Sequence, residues 1–508
     1  MTAPHPLTIR LHNSDNVVVA RVDIPAGTEL PEERVTCRDP ISFGHKVAAT
    51  AIKSGAAVKK YGQIIGFALK NIQPGAHVHT HNIEMKAFDR DYAIGADADL
   101  APEYEAVPAT FQGIVRADGR VATRNYIGII STVNCSASVT RFVADAFKGD
   151  ALADFPNVDG VVPICHGMGC ACSNNKAGFE ILLNILAGYI RNPNFAAIQV
   201  IGLGCEVMQI DTLFQRRDLQ EHALLQTMTI QGTGGTRKTV QQGIERVQAM
   251  LPLVNRVERK PVSADHLILG LQCGGSDAYS GITANPSLGA AVDLLVRHGG
   301  AAVLGETPEI YGAEHLLTRR AVSREVGEKL IDRIHWWENY TAQNNAEMDN
   351  NPSPGNKAGG LTTILEKSLG AVAKGGTGNL VDVLHYAHPI TGKGLMFMDT
   401  PGYDPVSLTG MVAGGANMIC FTTGRGSVYG CKPVPSIKLA TNTEMYRRME
   451  DDMDINCGRI LTGEASIAQM GAEIFAEILK TASGRKTKSE QLGFGDSEFV
   501  PWHLGAVL

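Results

Sequence analysis

The chain has 508 residues, with 46 basic and 52 acidic side chains and a formal net charge of −6; about three domains of roughly 150 residues are expected at this length. No long block of one sign is present, which argues against nucleic acid as a partner. The opening MTAPHPLTIRLHNSD lacks a basic segment followed by an apolar one, no apolar run approaches the ~20 residues of a membrane span, and the ten cysteines, spread from Cys37 to Cys457, suit reduced thiols, so a cytoplasmic protein with no membrane partner is expected.

Residues 1–85 read as a small β-rich domain, in which short β-branched runs (LTIRL, NVVVARV) alternate with turns. A fragment recurs three times, as IPAGTEL from Ile24, IKSGAAV from Ile52 and IQPGAHV from Ile72, each a strand edge followed by a tight glycine turn. His77, His79 and His81 lie two apart. On a strand they would share one face, as a small metal or carboxylate site needs; a polar edge-strand face is the equal alternative. His45 with Lys46 follows a glycine turn and offers charge to an anionic substrate.

Residues 86–110 are acidic, contain Ala and Pro, and have no clear period, so a surface linker is expected. From 111 the pattern becomes strand, loop, helix: NYIGIISTVNC before ASVTRFVADAFK, and VDGVVPICHGMGC before KAGFEILLNILAGYIRN. Apolar strands followed by segments of 3.6-residue period indicate βαβ units and parallel sheets. Loss of pattern near 255–265 places a boundary between a central α/β region at 111–258 and a C-terminal one at 259–508. The fold expected is α/β and multidomain: a small N-terminal β-rich domain, then two α/β regions with largely parallel sheets.

Four thiols stand out. Cys135, Cys170, Cys205 and Cys273 each fall at or just past the end of an apolar strand beside Gly, Asn or Ser, where loops of parallel sheets converge on a ligand crevice. They either meet at one metal or cluster or simply fill strands, as buried cysteine often does. The C-x4-C-x-C spacing of Cys165, Cys170 and Cys172 is not a zinc knuckle, whereas iron accepts both thiolate and imidazole. Cys273 opens QCGGSDAYSGITANP, a run of short polar groups and glycines that suits a polyhydroxylated ligand. NPSPGNKAGG holds Asn351, Ser353, Asn356 and Lys357 between rigid prolines, with Lys357 placed to act as base or carboxylate clamp unless the loop is only a turn. Arg425 in TGRG lies past a strand, where a guanidinium takes a carboxylate bidentately. Glu306 and Glu309 in GETPE are acid/base candidates or helix-terminus residues. No phosphate loop is present, and the glycine clusters near 233–235 and 374–379 lack a dinucleotide context.

GHKVA, YGQIIGFAL, HVHTHN, GLGCE, QCGGSDAYSGITANP, NPSPGNKAGG and TGRGSVYG, in that order and across essentially the whole chain, resemble the altronate/galactarate dehydratase family. The resemblance implies a SAF-type β domain at 1–85, removal of water from a sugar acid to give a 2-keto-3-deoxy acid, and Fe2+ as cofactor. A mononuclear ion is the favoured form, with an iron–sulfur cluster or Mn2+ as alternatives. It implies His45 and Lys357 as catalytic residues, one of them being the base, beside Glu306, the catalytic acid/base candidate read from its place past a strand. Ser276, Asp277, Asn285, Asn356 and Arg425 would bind the sugar acid, and His166, Cys135, Cys170, Cys205 and Cys273 would lie at the metal. Cys165, Cys172, Cys431 and Cys457 fall outside the family pattern. HVHTHN favours D-altronate, with galactarate as the alternative. Further alternatives are a sulfite-releasing elimination like that of the related sulfolactate sulfo-lyases, and a non-catalytic sugar-acid binding protein. Homo-oligomerisation is left open.

Overall fold

A computed structural model describes residues 6–505 apart from 87, 89 and 173–175. The N-terminal domain is built from short antiparallel strands. One sheet orders Thr8–Ile9, Val17–Ala20, Lys46–Ala48 and His77–Val78; a second pairs Ala57–Lys60 with Gln63–Ala68 and Ile83–Glu84. The three repeated fragments turn at Gly27, Gly55 and Gly75, with φ of 83°, 78° and 80°. At Gly75 a Cβ would lie 1.9 Å from the Thr36 carbonyl oxygen, so the turn needs glycine for space as well as for its left-handed φ. The histidine run departs from the expected strand: only His77–Val78 is extended, and His79 to His81 lie in the turn that follows.

The segment after this domain is draped over the C-terminal region. Arg90 Nη1 donates to Glu314 Oε1 at 2.9 Å and the Asp99 amide to Asn379 Oδ1 at 2.8 Å. Thr110–Val115 then pairs antiparallel with Lys260–Ser263, so the chain enters and leaves the central region side by side. That region holds four parallel strands, β1 (Tyr126–Ser131), β2 (Gly160–Ile164), β3 (Phe195–Gly202) and β4 (Leu225–Thr229), in the order β2-β1-β3-β4. Helix α1 (Ala177–Arg191) covers one face with Phe179, Leu182, Leu183, Leu186 and Ile190 buried at helical spacing.

The C-terminal region is a seven-stranded parallel sheet. Its strands are β5 (Ile268–Cys273), β6 (Ala301–Leu304), β7 (Leu380–Leu384), β8 (Gly394–Met398), β9 (Met418–Thr423), β10 (Ser436–Ala440) and β11 (Ile455–Asn456), ordered β7-β8-β6-β5-β9-β10-β11. The first strand is central and later strands add on both sides of it, which opens a crevice beyond the carboxyl ends of β5, β6 and β9. β8, β9 and β10 are buried at every residue, the pattern of parallel strands covered on both faces. The expected α/β architecture behind an N-terminal β domain is the one observed. Among the described residues no helix is long and apolar enough to cross a membrane.

Candidate active site and metal centre

The end of β5 delivers Cys273 into a buried polar cluster. Lys374 Nζ donates to Cys273 Sγ at 2.8 Å and lies 3.7 Å from Glu306 Oε2. Glu309 Oε1 takes Lys367 Nζ at 2.6 Å and Asn351 Nδ2 at 2.7 Å. The lysines come from one stretch of chain: Lys367 from helix α2 (Ile364–Val372), buried at all nine positions, and Lys374 from the turn after it. Glu306 follows β6 in a left-handed conformation, φ 64°, held by its amide on Thr400 Oγ1 at 2.7 Å. A non-glycine residue in that region is strained and tends to mark function.

Neither carboxylate oxygen of Glu306 has a hydrogen-bond partner, and the residue is 1% exposed. Burial, reinforced by the nearby Glu309 charge, pushes its carboxyl well above the usual range. Glu309 moves the other way: burial opposes ionisation, but Lys367 outweighs it and keeps the group charged. Two neighbouring carboxyls with separated proton affinities form the arrangement in which one carries a proton and the other does not. Burial drives the Cys273 thiol up to about 11 despite Lys374, so it is neutral near pH 7.

The N-terminal domain closes the other end of the site. Its buried Lys46 donates to Glu366 Oε2 at 2.9 Å and to the Gly360 carbonyl at 2.7 Å, while Lys60 reaches Glu366 Oε1 at 2.9 Å. Burial opposes the charge on Glu366, and the two ammonium groups overcome it, holding its carboxyl far below normal. Burial pulls Lys46 down to about 8 against the attraction of Glu366. These three side chains dock the small domain on α2.

Beside this joint, His45 Nδ1 faces His77 Nε2 at 3.0 Å and His45 Nε2 meets the Ala358 carbonyl at 3.3 Å. His79 stacks near both rings, and its buried Nδ1 has no partner. Burial lowers His45, takes His77 to about 4 and takes His79 to about 3, leaving neutral imidazoles, the form that binds metals. Segment 351–358 connects the two ends of the site: Asn351 touches Glu309 and Ala358 touches His45.

Among the described residues, two triads place their ligand atoms within 4.8 Å of one another: His45, His77 and His79, and Cys273, Glu306 and Glu309. They differ as metal hosts. The Lys374 ammonium already sits against Cys273 and Glu306, where it would compete with a cation. The histidine triad has no such ammonium bonded to it and offers an orphaned ring nitrogen. A divalent iron fits the histidines.

The structure corrects the expected metal set. His166 is buried with both ring nitrogens engaged, Nε2 at 3.0 Å from the Ser131 carbonyl and Nδ1 accepting from the Met168 amide at 3.1 Å, so it braces the loop after β2 and has no nitrogen to offer. Cys273 is buried under the C-terminal sheet, whereas Cys135, Cys170 and Cys205 are exposed on the central one, so the four thiols do not share a site.

Several expected sugar-binding groups are already saturated by the protein. Asp277 accepts from Thr441 Oγ1 at 3.0 Å, Asn442 Nδ2 at 3.1 Å, Ser280 Oγ at 3.1 Å and the Tyr279 amide at 3.1 Å; it ties loops together. Asn285 bridges the Gly370 carbonyl (2.8 Å) and Thr422 Oγ1 (2.6 Å). Asn356 completes a capping box with Ser353 and donates to the Ser276 carbonyl at 2.8 Å. Ser276 keeps a buried, unpartnered hydroxyl. Lys357 is half-buried on the short helix Pro354–Ala358, next to the residue that meets His45. Arg425 is exposed and lines a cavity of about 80 Å³ with Phe43, Asp277, Tyr279, Ala358, Asn442 and Arg448.

Lys46, expected to offer charge to an anionic substrate, is instead consumed by Glu366 and the Gly360 carbonyl, and Lys60, Glu366, Lys367, Lys374 and Arg448 were not foreseen. One available signal is the Glu-Lys pair inside ILEKSLGAV: two charges in an otherwise apolar and small-residue helix need buried partners.

Comparison with known proteins agrees along the whole chain. Residues 6–86 match the altronate/galactarate dehydratase SAF domain, 113–255 the D-galactarate dehydratase/altronate hydrolase second domain, and 264–507 the D-galactarate/altronate dehydratase C-terminal domain. The chain is 38% identical to galactarate dehydratase (L-threo-forming) of Escherichia coli K12, over 96% of this chain and 95% of the relative. It is 35% identical to altronate dehydratase of the same organism and 34% identical to that of Bacillus subtilis 168, each over 96% of this chain and 97% of the relative. The chain belongs to the D-galactarate/altronate dehydratase family.

Proposed function

We propose that this protein is a hydro-lyase that removes water from a sugar acid to give a 2-keto-3-deoxy acid, with D-altronate as the first substrate to test. The observation that carries the mechanism is Glu306, a buried carboxyl without a hydrogen-bond partner whose proton affinity burial and the nearby Glu309 raise well above the usual range. Elimination needs a base at the carbon next to the carboxylate and an acid at the departing hydroxyl. Glu306 supplies the proton to the hydroxyl. Lys374 holds positive charge beside it, and Lys367 with Asn351 keeps Glu309 ionised, so the proton resides on Glu306. Lys357 takes the α-proton, and Arg425 binds the carboxylate. His45, His77 and His79 would hold a divalent iron, which as a Lewis acid stabilises charge developing on the substrate oxygens.

Galactarate is the second reading, favoured by Arg448, which shares the cavity of Arg425: a second guanidinium suits a second carboxylate better than a hydroxymethyl group.

Deuterium exchange at the α-carbon separates the two proton transfers. Glu306→Gln should retain exchange while keto-acid release falls about 10²- to 10⁴-fold. Lys357→Ala should lose both. Near-normal keto-acid release by Glu306→Gln would remove Glu306 from the mechanism.

A further inference from the structure

The loop after β8 lies along the Glu306–Glu309 segment. The Thr307 amide donates to the Thr400 carbonyl at 2.9 Å, and Thr400 Oγ1, which takes the Glu306 amide, also meets Ser407 Oγ at 2.8 Å. A Cβ at Gly402 would lie 3.3 Å from Glu309 Cγ. Asp404 ends this loop and opens the helix Asp404–Ala413. Its carboxylate turns back towards β5. Gln272 Nε2 donates to its Oδ1 at 2.8 Å, and a Cβ at Gly274 would lie 2.3 Å from its Oδ2, so the residues on either side of Cys273 hold Asp404 and leave room for it.

Asp404 thereby joins Glu306, Glu309 and the Cys273 thiol in the field of Lys367 and Lys374. Three carboxyls set against two ammonium groups leave one carboxyl to carry a proton. The three differ in access. Glu306 is 1% exposed and Glu309 4%, and both lysines are buried, whereas Asp404 is half-buried and follows the exposed Tyr403. Desolvation, then the Glu309 charge, pushes the Asp404 carboxyl up to about 6 against the Gln272 hydrogen bond and the two lysines. A group poised there both takes up and releases a proton near neutral pH.

Elimination leaves Glu306 without the proton that departs with the hydroxyl as water, and Glu306 is sealed from solvent. We propose, on the reading that Glu306 is the acid, that Asp404 is the relay that restores this proton: its carboxyl donates to the Glu306 carboxylate, over a hydrogen bond or one water, and regains a proton from an acid in solution. The proton that Lys357 takes from the α-carbon returns to solvent separately, so each turnover ends with every group as it began.

Rapid-quench measurement of keto acid tests the relay, using the full iron-loaded chain at pH ~6 with D-altronate or galactarate, whichever turns over. In Asp404→Asn the first keto acid per site should form at the parent's rate, since Glu306 enters it protonated, and later turnovers should slow at least about tenfold. Acetate at constant ionic strength should restore them in proportion to its concentration, and chloride should not. Asp404→Ala should behave alike, Asp404→Glu should keep the parent's rate without acetate, and Glu306→Gln should show neither burst nor rescue. A role in packing alone would slow the first turnover as much as the rest and would ignore acetate. Steady turnover of Asp404→Asn at the parent's rate, a loss present from the first turnover, or slow turnovers indifferent to acetate would overturn the relay and leave Glu306 standing. A parent chain that releases no keto acid would overturn both.

Discussion

The ammonium of Lys374 lies 2.8 Å from the sulfur of Cys273, yet burial outweighs its pull on the thiol proton. Burial keeps the sulfur protonated near neutral pH, and alkylating reagents attack the thiolate. Iodoacetamide at pH ~7 should therefore modify Cys135, Cys170 and Cys205 well before Cys273, as read by peptide mass spectrometry of the metal-free protein. Equal rates at Cys273 would show that Lys374 holds it as a thiolate.

Glu306 carries a linked effect on stability. Its folded carboxyl has a raised proton affinity because it is buried near Glu309. Below the unfolded value of about 4.3 both states are protonated and its contribution is fully present; as pH rises towards the folded value, the unfolded state releases its proton first and stability is lost. Gln carries no such proton. Denaturant unfolding should show Glu306→Gln gaining on the unsubstituted chain by up to about 1.4 kcal/mol per pH unit above about pH 4.3. A pH-independent difference would mean that Glu306 ionises normally.

The histidine triad should govern iron. His79 offers a buried ring nitrogen with no protein partner, so His79→Ala should weaken Fe2+ binding at least about tenfold in anaerobic titration, with little change in folding. Unchanged affinity would place the iron elsewhere.

Docking of the small domain rests on one carboxylate between two lysines. Glu366→Gln leaves Lys46 and Lys60 charged in a buried joint, which should cost about 3–5 kcal/mol and expose 1–85 to limited proteolysis. Converting both lysines to Met in the same chain should restore much of the loss. A variant as stable as the parent would show that apolar packing alone holds the joint.

Much of this architecture was legible locally. Runs such as VDGVVPIC and DHLILGLQC announce parallel strands because burial on both faces removes alternation, and the I-x-x-G fragments announce turns because glycine alone fits them. The site was legible in its loops and misread in its partners. Cys273 looks like Cys170 or Cys205 in sequence, yet Lys374, about a hundred residues on, makes it different. Asn285 and Asn356 look like ligand groups until Gly370 and Ser276 are seen to consume them. His45, His77 and His79 meet across a turn and a neighbouring strand; period-2 spacing pointed to His77 and His79 together with His81, which is outside the triad, and did not connect them to His45. Lys46, Lys60 and Glu366 pair across some three hundred residues, a separation that no local pattern records.

The most direct measurement is keto-acid release by anaerobic, Fe2+-loaded protein given D-altronate and galactarate in parallel. A 2-keto-3-deoxy acid is expected from at least one of them, abolished by chelation and greatly reduced in Glu306→Gln; faster turnover of galactarate would assign Arg448 to the second carboxylate. Folded, iron-loaded protein that releases no keto acid from either substrate would contradict the dehydratase reading.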